Sequence, residues 1–251
     1  MKFVAFCIIL LLFSPYSYTK PKNELVIATF IEPPFVALKN HRLIGSNIEV
    51  AKLLANAINL KAVFVRCPFA RCLSMVKAGK ADMIFGLRKT PEREKELVFL
   101  SPPLMIQHYP LRFFTLAKRQ LKISKLADLT PLAVGVLRGA THFEAFDNNR
   151  KIHKVDVTSR NQLVSMLLKG RIDTFADREE SIKPLLSTDD YQKKLALASY
   201  QYDRAEKSYI AVSKKSHIKQ YTPQLKQTLQ QLTNDGTIDK IMSAREAFIR
   251  N

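Results

Sequence analysis

The chain has 251 residues, 47% hydrophobic and 25% charged, which suits one large folded unit or two of ordinary size and excludes a low-complexity or disordered polymer. Forty Lys and Arg against 22 Asp and Glu give a formal charge of +18. The basic residues are scattered, with no aromatic–basic ribbon and no Arg-rich helix, so the charge points to anionic ligands or membrane surfaces and away from nucleic acid.

Met1-Lys2, the eleven apolar residues 3–13 and the short segment 14–19 read as a secretory signal over 1–19. The apolar run is too short for a membrane span, and Ser17 and Thr19 permit cleavage before Lys20. An uncleaved anchor is the alternative. The mature chain, from Lys20 on, is expected to be an exported, periplasmic monomer. Cys7 leaves with the signal, so Cys67 and Cys72 remain as an even pair in an oxidising compartment. They are read as a disulfide, with two buried thiols as the alternative; two thiols alone make half a zinc shell.

After the signal, residues 24–30 (ELVIATF) predict a strand. Ser46 and Glu49 form a capping-box pattern, with Ile48, Ala51, Leu54 and Ile58 at helical spacing. Residues 61–66 are a second strand, Pro68 opens a helix that Gly79 closes, and 81–87 form a third strand. Thr90-Pro91 then starts a short helix. The pattern repeats: strand 132–137, a helix led in by Gly139-Ala140-Thr141, strand 154–158, a helix capped by Ser159 and ended by Gly170, and strand 172–176. A strand over 208–213 and two helices, from Thr222 and from Thr237, complete the chain. Strand–helix alternation implies α/β lobes with largely parallel sheets.

Gly79-Lys80-Ala81-Asp82 and Gly170-Arg171-Ile172-Asp173 stand at the same helix-to-strand step of the two halves, an internal echo that predicts two lobes of related construction. The expected division is 20–112 with 213–251 as one lobe and 113–212 as the other. The chain would cross near 111–115 and again near 207–212. Two crossings make a hinge, and a hinge makes a cleft that can close.

Ligands collect at the carboxyl ends of strands in open α/β sheets. Arg88 and Arg93 come directly after one such strand. A helix N-terminus does not favour a cation, so Arg93 in the first turn after Thr90-Pro91 suits an anionic visitor, with a salt bridge to Glu92 or Glu96 as the alternative. Asp177 ends the corresponding strand of the second half and could accept from an ammonium or cap the next helix. Gly139-Ala140-Thr141 offers N–H groups and a hydroxyl at an expected helix start. A positive fork, an anion-binding turn and one carboxylate suit a zwitterion.

With "PPF" at 33–35, Gly45 before its helix, "GKADMIF" at 79–85, "TPEREKELVFLSPP" at 90–103, "VGVLRGAT" at 134–141, "GRIDTFAD" at 170–177 and "NDGTIDKI" at 234–241, the chain resembles periplasmic solute-binding proteins of family 3, the amino-acid type. The resemblance implies the two-lobed type II periplasmic-binding-protein fold with an interlobe cleft. It also implies that Arg93 grips a ligand α-carboxylate, Thr141 adds donors and Asp177 takes the α-ammonium. Arg88, Ala140, Glu32 and Phe35 complete the expected ligand-binding set. Three departures stand beside it: Glu32 where the family often has an aromatic, Gly86-Leu87-Arg88 where it has small hydroxyl residues, and Ser46-Asn47 where it has an aromatic and an Asp.

The expected function is therefore an exported binding protein that closes over an amino acid or related carboxylate and hands it to an inner-membrane permease. A sensing module for a membrane receptor would use the same pocket. An enzyme on the same scaffold, of dehydratase or lyase type, is the other alternative, with Glu32 as its acid–base. The five histidines are dispersed, and no metal, cofactor or nucleophile motif is present.

Overall fold

The computed structural model describes residues 23–244; the signal inferred over 1–19 lies outside them. Two sheets organise the chain. In the first, the order is Lys61–Arg66, Glu24–Thr29, Met83–Leu87, Glu206–Ser213 and Leu97–Phe99, with Met105–Gln107 paired to the start of Glu206–Ser213. Its first three strands are parallel, and Glu206–Ser213 enters antiparallel between Met83–Leu87 and Leu97–Phe99. The second sheet runs His153–Val157, Ala133–Leu137, Thr174–Arg178, Leu111–Leu116 and Leu195–Tyr202. Its first three strands are again parallel, while Leu111–Leu116 opposes both neighbours. The architecture is the two-lobed α/β arrangement.

Pairing locates the passages between sheets at residues 108–110 and 203–205. Leu111 already pairs with Arg178 and Tyr202, and Glu206 already pairs with Gln107. The passages therefore lie a few residues earlier than 111–115 and 207–212, and the strand Glu206–Ser213 belongs with the first lobe.

The internal echo has a physical cause. Asp82 N–H donates to the Val26 carbonyl at 2.7 Å while Val26 N–H donates to Asp82 Oδ2 at 2.7 Å. Asp173 and Ala133 make the same reciprocal pair, at 2.9 and 2.8 Å. In each lobe an aspartate just before the third strand fastens it to the first. The remaining oxygen of Asp82 accepts from Ser216 Oγ, and that of Asp173 from the Arg119 guanidinium.

Three helix starts differ from expectation. Helix Ser46–Ala57 is capped by Gly45, not by a Ser46 capping box, and no side chain bonds its free N–H groups. Gly45 has φ 128°, and a Cβ there would lie 2.2 Å from the Phe35 carbonyl oxygen, so only glycine lets these segments touch. Thr141 does not begin a helix: residues 140–143 are irregular, and the short helix Glu144–Asp147 starts after Phe143. Asp177 is no cap either. It lies inside strand Thr174–Arg178, and the next helix starts at Glu179.

Helices Thr222–Asn234 and Thr237–Ser243 return to the first lobe. There Leu225, Leu229, Ile238 and Met242 bury against the Val50 and Leu54 face of Ser46–Ala57. Cys67 and Cys72 are disulfide-bonded, with Cα atoms 5.4 Å apart, and join the end of strand Lys61–Arg66 to helix Phe69–Lys77.

Candidate functional site

The carboxyl ends of the parallel strands in both sheets face one another across a cleft, where that strand order collects ligands. A cavity of about 80 Å³ lies between them. Phe30 and Phe69, edge to face at 4.9 Å, form one wall, and the buried Phe35 adds to the lining.

Arg93 is set by local chemistry. Thr90 Oγ1 caps the short helix Pro91–Glu94 by accepting the Arg93 N–H at 3.3 Å, with Pro91 at a position needing no N–H. The side chain then turns inward and is 5% exposed. Its guanidinium donates to the carbonyl oxygens of Arg88 (2.8 Å) and, across the cleft, Gly139 (3.0 Å), with Cζ 5.9 Å from the centre of the Phe69 ring. Among the described residues it has no carboxylate partner, and the alternative of a surface bridge to Glu92 or Glu96 is not what forms. Burial, and Arg88 nearby, push its pKa down to about 10, which still leaves it charged at neutral pH.

Arg88 is committed differently. Its Nε and Nη2 clasp Glu206 at 2.7 and 2.8 Å, and its Nη1 reaches the Thr141 carbonyl at 3.1 Å. Ala140 and Thr141 line the cavity as expected, by way of an irregular turn. Thr141 Oγ1 is buried without a hydrogen-bond partner among the described residues, as are Asn47 Oδ1 and Arg178 Nε, and all three residues line the cavity.

Asp177, buried near the end of strand Thr174–Arg178 in the second lobe, is not part of the cavity lining, and both its oxygens already accept hydrogen bonds. Oδ1 accepts the Arg178 N–H at 2.8 Å and Oδ2 accepts Arg160 Nε at 2.8 Å. The Arg160 guanidinium also donates through Nη2 to Glu32 Oε1 at 2.9 Å, linking the lobes. Burial disfavours the charge on Arg160, but Asp177 and Glu32 outweigh it and hold the side chain cationic. Burial also pushes Glu32 above the ordinary carboxylate range, with Arg160 opposing and Asp177 reinforcing the rise.

The structure thus gathers Arg93, Thr141, Ala140, Arg88, Glu32 and Phe35 around one cavity, with Asp177 behind Arg160. Sequence reasoning missed Arg160, Arg178 and Glu206, and noted Asn47 only as a departure from the family pattern. Arg160 carried a readable signal. It is the first residue of helix Arg160–Leu168, capped by Ser159, and so another cation where the helix dipole disfavours one.

Residues 25–244 match the family model for bacterial extracellular solute-binding proteins, family 3. The ABC transporter arginine-binding protein 1 of Escherichia coli K12 is 29% identical over 60% of the chain, and the chain spans 60% of that relative's length. The putative ABC transporter arginine-binding protein 2 of the same strain is 25% identical over 83% of the chain and 84% of its own. The arginine-bound crystal structure of the amino acid ABC transporter substrate-binding protein AbpA from Streptococcus pneumoniae superposes with a TM-score of 0.74, at 23% identity, over 90% of this chain and 95% of that one. With the type II fold, the cleft and a family match over nearly all of the described residues, the chain belongs to the bacterial extracellular solute-binding proteins, family 3.

Proposed function

We propose that this protein closes its lobes over a small carboxylate-bearing solute, an amino acid or related acid, in the periplasm and delivers it to an ABC transporter permease. The observation that carries the reading is Arg93: a buried guanidinium in the cleft whose partners, among the described residues, are two backbone carbonyls and no carboxylate. A carboxylate would meet its fork with charge-assisted, bidentate bonds. The unpartnered Thr141 hydroxyl, on the facing lobe, is a second donor for the same group. Relatives named for arginine and histidine binding support the amino-acid class.

The test is calorimetric titration of amino acids and small carboxylates against the wild type and Arg93→Ala. Loss of one partner of a buried charged pair costs about 2–5 kcal/mol, so affinity should fall by roughly 30-fold or more. An unchanged dissociation constant with the fold intact would remove Arg93 from the site.

A further inference from the structure

The charges of the cleft are almost all spoken for, and what remains open is positive. Four guanidinium groups, from Arg88, Arg93, Arg160 and Arg178, line the cavity; Glu32, Asp177 and Glu206 stand against them, and Glu180 lies near Arg178. Glu206 is clasped through both oxygens by Arg88. Both oxygens of Asp177 already accept, one from Arg160 and one from the Arg178 N–H. Glu32 keeps one oxygen, Oε2, which lies against Gly86, where a Cβ would come within 3.2 Å of it. On the positive side, Arg93 has only carbonyl partners and Arg178 Nε has none among the described residues.

Among the described residues, an ammonium entering this cavity finds Glu32, Asp177 and Glu206 each already held by an arginine. It must either displace Arg160, leaving a buried guanidinium unpaired, or sit on Glu32 beside the cation that already holds it. The first option strands a buried guanidinium, and the second sets two cations against one carboxylate in a dry site. A hydroxyl meets no such penalty, because it can donate to Glu32 Oε2 or Asn47 Oδ1. A carboxylate finds Arg93, Thr141 Oγ1 and Arg178.

Resting on the carboxylate reading above, we propose that the cleft selects small hydroxy or oxo carboxylates that lack an α-ammonium, because Arg160, bridging Asp177 and Glu32, already occupies the place of a ligand's cation. Arg160 is then the specificity-determining residue: the chain supplies internally the charge that a zwitterion would bring.

Matched trios test it by calorimetry on the purified secreted protein: L-alanine, L-lactate and pyruvate; L-aspartate, L-malate and oxaloacetate; L-arginine with its 2-hydroxy and 2-oxo counterparts. In the trio that binds, the wild type should prefer the hydroxy or oxo acid over the amino acid by about tenfold or more, the scale of one weakened polar contact. Arg160→Gln, its fold verified by circular dichroism, should gain about tenfold for the amino acid and so narrow or invert that preference. Arg160→Lys keeps a cation in place and should retain the wild-type order, which also decides the matter if the Gln variant fails to fold. A wild type that binds the amino acid as tightly as, or more tightly than, its deaminated partners overturns this proposal and leaves the carboxylate site standing. So does an Arg160→Gln that shifts all three members equally. If no member of any trio binds the wild type, the carboxylate reading falls and this proposal with it.

Discussion

At the scale of single residues, two guanidinium groups set the chemistry of the cleft: Arg93, bonded to the Arg88 and Gly139 carbonyls, and Arg160, held between Asp177 and Glu32. Arg93 was legible because Thr90-Pro91 fixes the helix start and leaves a cation where the dipole resists one. The partners of Arg88 were not legible: Glu206 lies 118 positions away on a strand that returns antiparallel through the first sheet. Arg160 was half legible, by position but not by reach, since nothing in its neighbours says that its side chain crosses to Glu32. Gly45 carries a stability prediction. A methyl group there meets the Phe35 carbonyl at 2.2 Å in a left-handed backbone region, so Gly45→Ala should destabilise the protein by about 2–4 kcal/mol in urea unfolding. Because Phe35 lines the cavity, ligand affinity should drop as well. An unchanged midpoint would mean that the two segments part at little cost.

At the scale of elements, the two aspartates before the third strands are the most informative repeat in the chain. Their spacing from the preceding glycine was plain in the sequence; their purpose, a two-way bond to the first strand, needed the sheet. Asp82 is fully buried and Asp173 is not, so the two should differ when removed. Asp82→Ala strands the Val26 N–H in the core and should cost about 2–3 kcal/mol, while Asp173→Ala should cost about 1. Equal losses in denaturant titrations would contradict this ranking. Burial pushes the Asp173 carboxyl up, but the Ala133 N–H and Arg119 outweigh it, so its folded pKa lies below the ordinary 3.8. Its contribution is therefore complete above about pH 3.8 and fades as pH falls through the folded value. Acid titration of wild type against Asp173→Ala should show the stability gap closing in that acidic window.

At the scale of the whole molecule, three links join the lobes around the cavity: Arg160 to Glu32, Arg93 to the Gly139 carbonyl and Arg88 to the Thr141 carbonyl. Glu32→Ala should shift the protein toward an open form, since Arg160 then loses its carboxylate on the far side of the gap and keeps Asp177 on its own. Small-angle scattering reads this as a larger radius of gyration for the variant; identical radii would show that the ion pair does not hold the lobes together. The two-lobe plan was legible from alternating strands and helices and from the echo between halves. The points of passage were less so, because apolar hinge strands look the same on either side of a crossing, and only pairing partners assign them to a sheet.

The route of the chain also orders its assembly. The second lobe is one continuous stretch, from Leu111 to Tyr202, and holds every strand of its own sheet. The first lobe lacks an interior strand until Glu206–Ser213 arrives, and the Asp82 fastening is finished only by Ser216. A chain emerging amino end first can thus complete its later half before its earlier one. A fragment ending at residue 205 should protect backbone amides from exchange in the second lobe while leaving the first open along Met83–Leu87 and Leu97–Phe99.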